Sequence, residues 1–264
     1  MFSKKLIIFL YSVLFVVIIL ISVLFAFSIN KIDTEFTFID SDGKKAEAIN
    51  EKLASYFGKN LLFLKTDEIA DNICEDPYID CISVEKSFPN TVKVVAKERR
   101  EVYIFSYGDE DFIADENGFV LRRFYGDTTE GLISLCFNNF DIEKPVIGTY
   151  IKSDFDNSLK NAFDISKSVG FSDRFYKMTV SKEFNSANLT ECQIYFSTYT
   201  NVTIKIYKSD DLGVEKAKAA FDAYDFKTTD YEKSFYSIEA LKLDGGLICV
   251  TWTRNGKWVR DELV

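Results

Sequence analysis

The sequence predicts an α+β protein with a single N-terminal transmembrane helix, a small domain of order β-α-α-β-β, and a β-rich mixed α+β domain. Three observations carry that prediction. Residues 6–27, LIIFLYSVLFVVIILISVLFAF, are 22 consecutive residues without a charge, long enough as a helix to cross a hydrocarbon layer of about 30 Å. Beyond them, stretches with helical periodicity give way to stretches that alternate every second residue. The chain also has 25 Phe and 14 Tyr against 3 Pro in 264 residues, a balance that favours pleated, half-buried surfaces over linkers.

The apolar run comes first. Lys4 and Lys5 precede it, whereas Lys31, Asp33 and Glu35 follow, so the positive-inside rule places a short tail, residues 1–5, in the cytoplasm and the bulk of the chain outside. Ala26-Phe27-Ser28 offers small residues at a spacing a signal peptidase would accept. The apolar core is nevertheless longer than the about 7–15 residues of a cleavable signal, so residues 6–27 are expected to stay as an anchor. The chain has a net charge of −9, and Lys4 and Lys5 are the only charges in its first 27 residues, which leaves −11 for the remainder. That excess repels nucleic acid and anionic surfaces and points to protein partners.

Residues 34–43, TEFTFIDSDG, alternate and end in a turn, as a short strand would. Residues 44–57 then place Ile49, Leu53, Tyr56 and Phe57 on one helical stripe, with Gly58 as the stop. A second, shorter helix is expected from Thr66, whose hydroxyl would cap it ahead of Asp67 and Glu68, to about Asp76, where Pro77 ends it. Two strands, at about 80–87 and 91–98, complete the order strand, helix, helix, strand, strand. Phe88-Pro89-Asn90 turns one into the next, with proline fixing φ and asparagine tolerating a left-handed position.

That order, with KNLLFLKTDEIADNICEDPYIDCISVEKSFPNTVKVVAKERREVYIF, resembles the POTRA domain of the bacterial FtsQ/DivIB cell-division proteins. The matching positions are Pro77, Tyr78, Ile79, Val84, Lys86, Phe88, Pro89, Thr91, Val92, Glu98 and Arg99, followed by FIADENGFVL at 112–121 for the family's Asp-x-x-Gly segment. Of these, Pro77, Val84, Lys86, Phe88, Pro89, Glu98 and Arg99 are taken as structural. The plain alternative for Glu98-Arg99-Arg100-Glu101 is a solvated strand end. The POTRA domain is expected over 28–102, a β domain over 103–253 and a C-terminal tail over 254–264.

Within the β domain, FIADENGFVLRRF suggests a hairpin at Asp115 to Gly118, and residues 153–169 a helix with Phe155, Leu159, Ala162 and Phe163 inward. Residues 192–208 read as a second hairpin, 211–224 as a helix presenting Val214, Ala217, Phe221 and Tyr224, and about 235–243 and 246–253 as the closing strands. The final strand, GLICVTWTRNGKW, combines strand formers with Trp252, Arg254 and Trp258, residue types that anchor interfaces, and an edge strand accepts a partner by β-augmentation. The resemblance implies that this edge docks FtsB/DivIC-like partners, with Cys249, Val250, Thr251, Trp252, Thr253 and Arg254 as the contact residues. The bland reading is that both tryptophans close the core of the sheet.

Catalytic chemistry is thin. No histidine is present, which excludes Ser-His-Asp and Cys-His nucleophiles, histidine metal sites and imidazole acid–base work. Ser83-Val84-Glu85-Lys86 and Ser28-Ile29-Asn30-Lys31 match Ser-x-x-Lys, but the first falls on a strand, the second beside the membrane, and no Ser-Asp-Asn or Lys-Thr-Gly follows. Asp40-Ser41-Asp42-Gly43 and Asp115-Glu116-Asn117-Gly118 echo calcium loops yet lack the flanking ligands and read as turns. Cys74, Cys81, Cys136, Cys192 and Cys249 form no Cys-x-x-Cys spacing. They read as small hydrophobes, and although a Cys74–Cys81 bridge is conceivable, none is assigned. No catalytic residue, cofactor or metal is expected, and no small-molecule substrate.

The expectation is therefore a non-catalytic, bitopic scaffold of the bacterial division complex. It would sit at the septum and bind FtsB/DivIC-like and FtsL-like partners near the septal wall synthase. Two rivals are a POTRA-bearing secretion or envelope-assembly component, which would normally carry repeats or a barrel, and a membrane-anchored wall enzyme relying on carboxylates alone.

Overall fold

The computed structural model describes residues 4–38, 44–126, 128–171, 174–184, 190–226, 237–254 and 257–263. The chain divides into two compact units, Met1–Arg99 and Arg100–Val264.

In the first unit, helix α1 (Lys4–Ala26) contains a stretch, Ile8–Ala26, that is long and apolar enough to cross a membrane and is not buried against the protein. Strand β1 (Lys31–Thr37), helices α2 (Lys44–Ala54) and α3 (Thr66–Ile73), and strands β2 (Ile79–Ser87) and β3 (Thr91–Glu98) follow in the expected order. The three strands form one sheet, β1-β3-β2, with β1 parallel and β2 antiparallel to β3. Being central, β3 buries Val92, Val94 and Ala96 almost completely against Ile49 and Leu53 of α2 and Ile69 and Ile73 of α3.

Three details depart from the sequence reading. Helix α2 stops at Ala54, so Tyr56 still reaches the core while Phe57 turns outward and is 50% exposed. Thr66 is the first helical residue of α3, not its cap; Lys65 holds the cap position with extended backbone and no side-chain hydrogen bond. In the β2–β3 turn the Phe88–Pro89 peptide is cis, and Asn90 does not adopt a positive φ. The Asn90 carbonyl instead accepts the backbone N–H groups of Asn30 and Lys31, at 3.1 and 3.4 Å. The Asp40–Gly43 turn lies outside the described residues.

The second unit is built on one sheet. In chain order its strands are β4 (Tyr103–Tyr107), β5 (Glu110–Ala114), β6 (Val120–Arg123), β7 (Ile133–Asn138), β8 (Phe175–Phe184), β9 (Thr190–Thr198), β10 (Thr203–Ile206), β11 (Ser237–Lys242), β12 (Ile248–Arg254) and β13 (Lys257–Leu263). Across the sheet the order is β13-β12-β11-β10-β9-β8-β7-β4-β5-β6. Two helices, α4 (Asp156–Val169) and α5 (Gly213–Asp225), connect the parallel neighbours β7 and β8 and the parallel neighbours β10 and β11. A parallel pair needs a crossover, and crossovers are right-handed. Strands β7 and β10 point the same way and both connections step in the same direction, so both helices land on one face, where they touch each other.

Under these helices Phe196 packs edge to face with Phe175 and Phe221, which are tilted to each other, with centroids 4.8 to 5.9 Å apart, while Tyr103 lies 5.4 Å from Phe163 and donates to Ser166 Oγ at 2.8 Å. The Asp115–Gly118 segment is a turn between β5 and β6. Asp115 Oδ1 accepts the N–H groups of Asn117 and Phe119, both at 2.8 Å. Gly118 has φ +78°, and a Cβ there would stand 2.3 Å from the Phe163 ring, so only glycine fits.

One charge is buried deliberately. Lys216 in α5 is fully inaccessible, and its Nζ donates to the carbonyls of Tyr207 and Lys208, tying the 207–212 loop to the helix. Burial pulls its pKa down to about 8 from 10.5. Between those two values the unfolded chain holds a proton that the folded protein has shed, so stability rises as pH climbs from about 8 to 10.5. Lys216→Met should lose that rise, and the difference between the two pH profiles of the unfolding midpoint measures it. Parallel profiles would refute the assignment.

Candidate docking edge

A sheet offers unpaired backbone only at its two edges, and those of the second unit differ. Strand β6 ends one side, and its first residue is already engaged: the Val120 N–H donates to the Thr149 carbonyl and the Val120 carbonyl accepts from Gly148 N–H, both at 2.9 Å. Strand β13 ends the other side. It pairs antiparallel to β12, from Arg254↔Lys257 to Cys249↔Leu263, with a register shift at Trp252/Thr253. Its Trp258 is 66% and its Leu263 64% exposed.

This corrects the sequence reading. Residues 254–264 were expected to form a tail and β12 the outer edge, whereas β12 is hydrogen-bonded on both sides, to β11 and to β13. Of the six residues assigned to docking, Val250 and Trp252 are buried in the core, Cys249 is buried, Thr251 and Thr253 are half-buried, and only Arg254 is exposed. The two tryptophans part company: Trp252, 1% exposed, closes the core, and Trp258 faces outward. The missed signal was Asn255-Gly256, the strongest short hairpin dipeptide, between two alternating runs.

The sheet face opposite α4 and α5 is polar. Lys205 Nζ meets Glu239 Oε1 at 3.0 Å, the Tyr207 hydroxyl donates to Glu239 Oε2 at 3.1 Å, and the Tyr195 hydroxyl to Glu183 Oε1 at 2.5 Å. Burial, then the Glu239 charge, pushes Tyr207 up to about 12, and burial and Glu183 raise Tyr195 as well. Both phenols stay protonated at neutral pH and act there as hydrogen-bond donors.

The residues of the β-α-α-β-β unit singled out from sequence fall at distinct places in it. Val84 packs on its core, Pro77 lies in the turn ahead of β2, and Lys86 Nζ reaches the Leu62 carbonyl at 3.5 Å. The Phe88 ring meets Phe27 at a centroid distance of 5.9 Å, beside Pro89. Glu98 and Arg99 are not a solvated strand end: Glu98 pairs with Lys45 of α2, and Arg99 Nη2 with Asp80 Oδ1 of β2 at 2.7 Å. Ser83 of the rejected Ser-x-x-Lys pattern sits on β2. Cys74 and Cys81 are free thiols in contact: a hydrogen bond from Cys81 holds Cys74 down to about 6, and the same bond raises Cys81.

Residues 44–99 match the family model of the POTRA domain, FtsQ-type. The chain is also similar to the cell division protein DivIB of Clostridium acetobutylicum, 29% identical over 178 residues, or 66% of this chain and 68% of that one. It is 25% identical to DivIB of Clostridium botulinum strain Hall over 168 residues, 63% of this chain but 62% of the relative, so the match spans somewhat less than two thirds of that protein. A shorter stretch, 66 residues or 25% of each chain, is 30% identical to the cell division protein FtsQ of Rickettsia felis.

Proposed function

We propose, from the premise that this chain is an FtsQ-type POTRA protein related to the DivIB and FtsQ cell-division proteins, that it is a non-catalytic bitopic scaffold of the division complex. Helix α1 holds the chain in the membrane with its N-terminus in the cytoplasm, in line with Lys4 and Lys5 ahead of the span. The outer units bind FtsB/DivIC-like and FtsL-like membrane proteins. Confinement to two dimensions raises the effective concentration of those partners beside the septal wall synthase without any new contact. The absence of histidine from the sequence fits a protein that positions others.

The observation that carries this reading is the unequal pair of sheet edges. Strand β13 ends the sheet with Trp258 and Leu263 exposed, while β6 is bonded at Val120 to residues 148–149 of the β7–α4 connection. A partner strand laid along β13 would satisfy backbone groups on both sides and cover the indole, the residue type most enriched among interface hot spots. Docking thus moves one strand outward from the β12 residues first assigned to it, which become the bed on which β13 lies.

The test is capture of a DivIC-like ectodomain by the full chain in detergent. Trp258→Ala is expected to weaken capture about thirtyfold, the equivalent of about 2 kcal/mol, with the unfolding midpoint unchanged. Undiminished capture would remove β13 from the interface. In dividing cells a fluorescent fusion of the full chain should gather at midcell, and an even envelope distribution would overturn the septal scaffold itself.

A further inference from the structure

The end of α1 is not a free hinge. The uncharged run enters α1 at Leu6 and the helix ends at Ala26, 21 residues, about 32 Å of helix, so Ala26 stands near the outer limit of a hydrocarbon layer of about 30 Å. The last carbonyls of any helix lack intrahelical donors, and here the α2–α3 loop supplies one: Asn60 Nδ2 donates to the Leu24 carbonyl at 3.0 Å. The Leu61 N–H donates to the Phe27 carbonyl at 2.7 Å, and Ile29 and residues 58–59 exchange backbone bonds in both directions at 2.9 Å. Asn60 Oδ1 also accepts the Leu62 N–H at 2.9 Å, fixing the loop's own shape.

A loop bonded to the last turn of a membrane helix lies at the depth of that turn. Its composition suits the place. Leu61 and Leu64 point into the core of the unit, whereas Phe57, Leu62 and Phe63 are 50%, 42% and 76% exposed. Phe88, 59% exposed, joins them through its contact with Phe27 at the end of the same helix. Four exposed large apolar side chains thus sit on the two segments that bond to or pack on one helix terminus, and clustered apolar exposure on a protein surface marks contact sites. The charges within residues 57–65 are Lys59 and Lys65; Lys65 pairs with Glu68 at 3.2 Å, and Lys59 is the charge set among the exposed apolar residues, where its stem can lie along them and its ammonium reach lipid phosphates.

We propose that Phe57, Leu62, Phe63 and Phe88 form a membrane-contact pad that dips into the outer headgroup region of the bilayer crossed by α1. The inference rests on α1 being membrane-spanning. The pad gives the first unit a second point of attachment beside the helix, so the unit cannot swivel freely about a single covalent link. The α2–α3 loop is then a lipid-facing element, and its apolar residues answer to the bilayer.

The test places the photocrosslinker benzoylphenylalanine singly at Phe63, at Phe15 within α1, or at Tyr125 of the second unit, 84% exposed. The full chain is reconstituted in phosphatidylcholine vesicles containing phosphatidylglycerol, irradiated, and lipid adducts are measured by mass spectrometry. Adducts at Phe15 and Phe63, with a yield at Phe63 about tenfold above that at Tyr125, are the expected result. Adducts at Phe15 alone would overturn the pad and leave the anchor standing. Adducts at neither Phe15 nor Phe63 would overturn the membrane reading and the pad with it. Equal yields at Phe63 and Tyr125 would overturn the pad, because contact would then be unspecific.

Discussion

Trp252→Ala is expected to destabilise the second unit by about 4 kcal/mol and to lower its unfolding midpoint by roughly 10 °C. Trp252 is 1% exposed, lies on the core face of β12 opposite Ile238, and belongs to the cluster that includes Phe221 of α5. Truncation removes the largest side chain in that core and leaves a void that the surrounding strands, hydrogen-bonded on both sides, have little freedom to close. Trp258→Ala is the internal control, since an indole 66% exposed on the edge strand should change stability by less than about 0.5 kcal/mol. Thermal unfolding of the full chain in detergent, followed by far-ultraviolet circular dichroism, separates the two. If Trp252→Ala cost as little as Trp258→Ala, the assignment of one tryptophan to the core and the other to docking would fail.

That division of labour shows where the sequence is readable. The β-α-α-β-β order and both crossover helices follow from periodicity, because a helix must bury a stripe and the stripe is visible in one chain: Leu159, Ala162 and Phe163 in α4, Ala217, Phe221 and Tyr224 in α5. Which strand ends a sheet is a different kind of fact. Neither the alternation of Val250 and Trp252 nor the apolar end of β13 says what lies beside each strand, and without weight on Asn255-Gly256 residues 254–264 read as a tail. The exposed Phe57 was hidden for a similar reason. Its helical spacing from core residues placed it on the stripe, and only the end of α2 at Ala54 turned it away. Local pattern fixes which residues are apolar; tertiary context decides whether protein or lipid receives them.

Arg99→Ala is expected to destabilise the first unit by about 3 kcal/mol, as losing one member of a buried ion pair does. The guanidinium is 8% exposed and its Nη2 lies 2.7 Å from Asp80 Oδ1, with the Asp80 side chain itself only 25% exposed. After truncation Asp80 keeps Lys97, whose Nζ is 3.6 Å from Oδ2, too long for a strong hydrogen bond. The carboxylate would therefore sit in a desolvated place with a weaker partner. Arg99→Lys should rescue little, because a compact ammonium does not reproduce the planar fork. Replacing both partners, Arg99→Met with Asp80→Leu, should cost less than Arg99→Ala alone, since no orphaned charge remains. Hydrogen exchange resolved by peptide mass spectrometry would read the effect on the amides of β2 and β3. A loss below about 1 kcal/mol for Arg99→Ala would place the pair among ordinary surface contacts. The Glu98-Arg99 segment would then be the solvated strand end that its charge alone suggests.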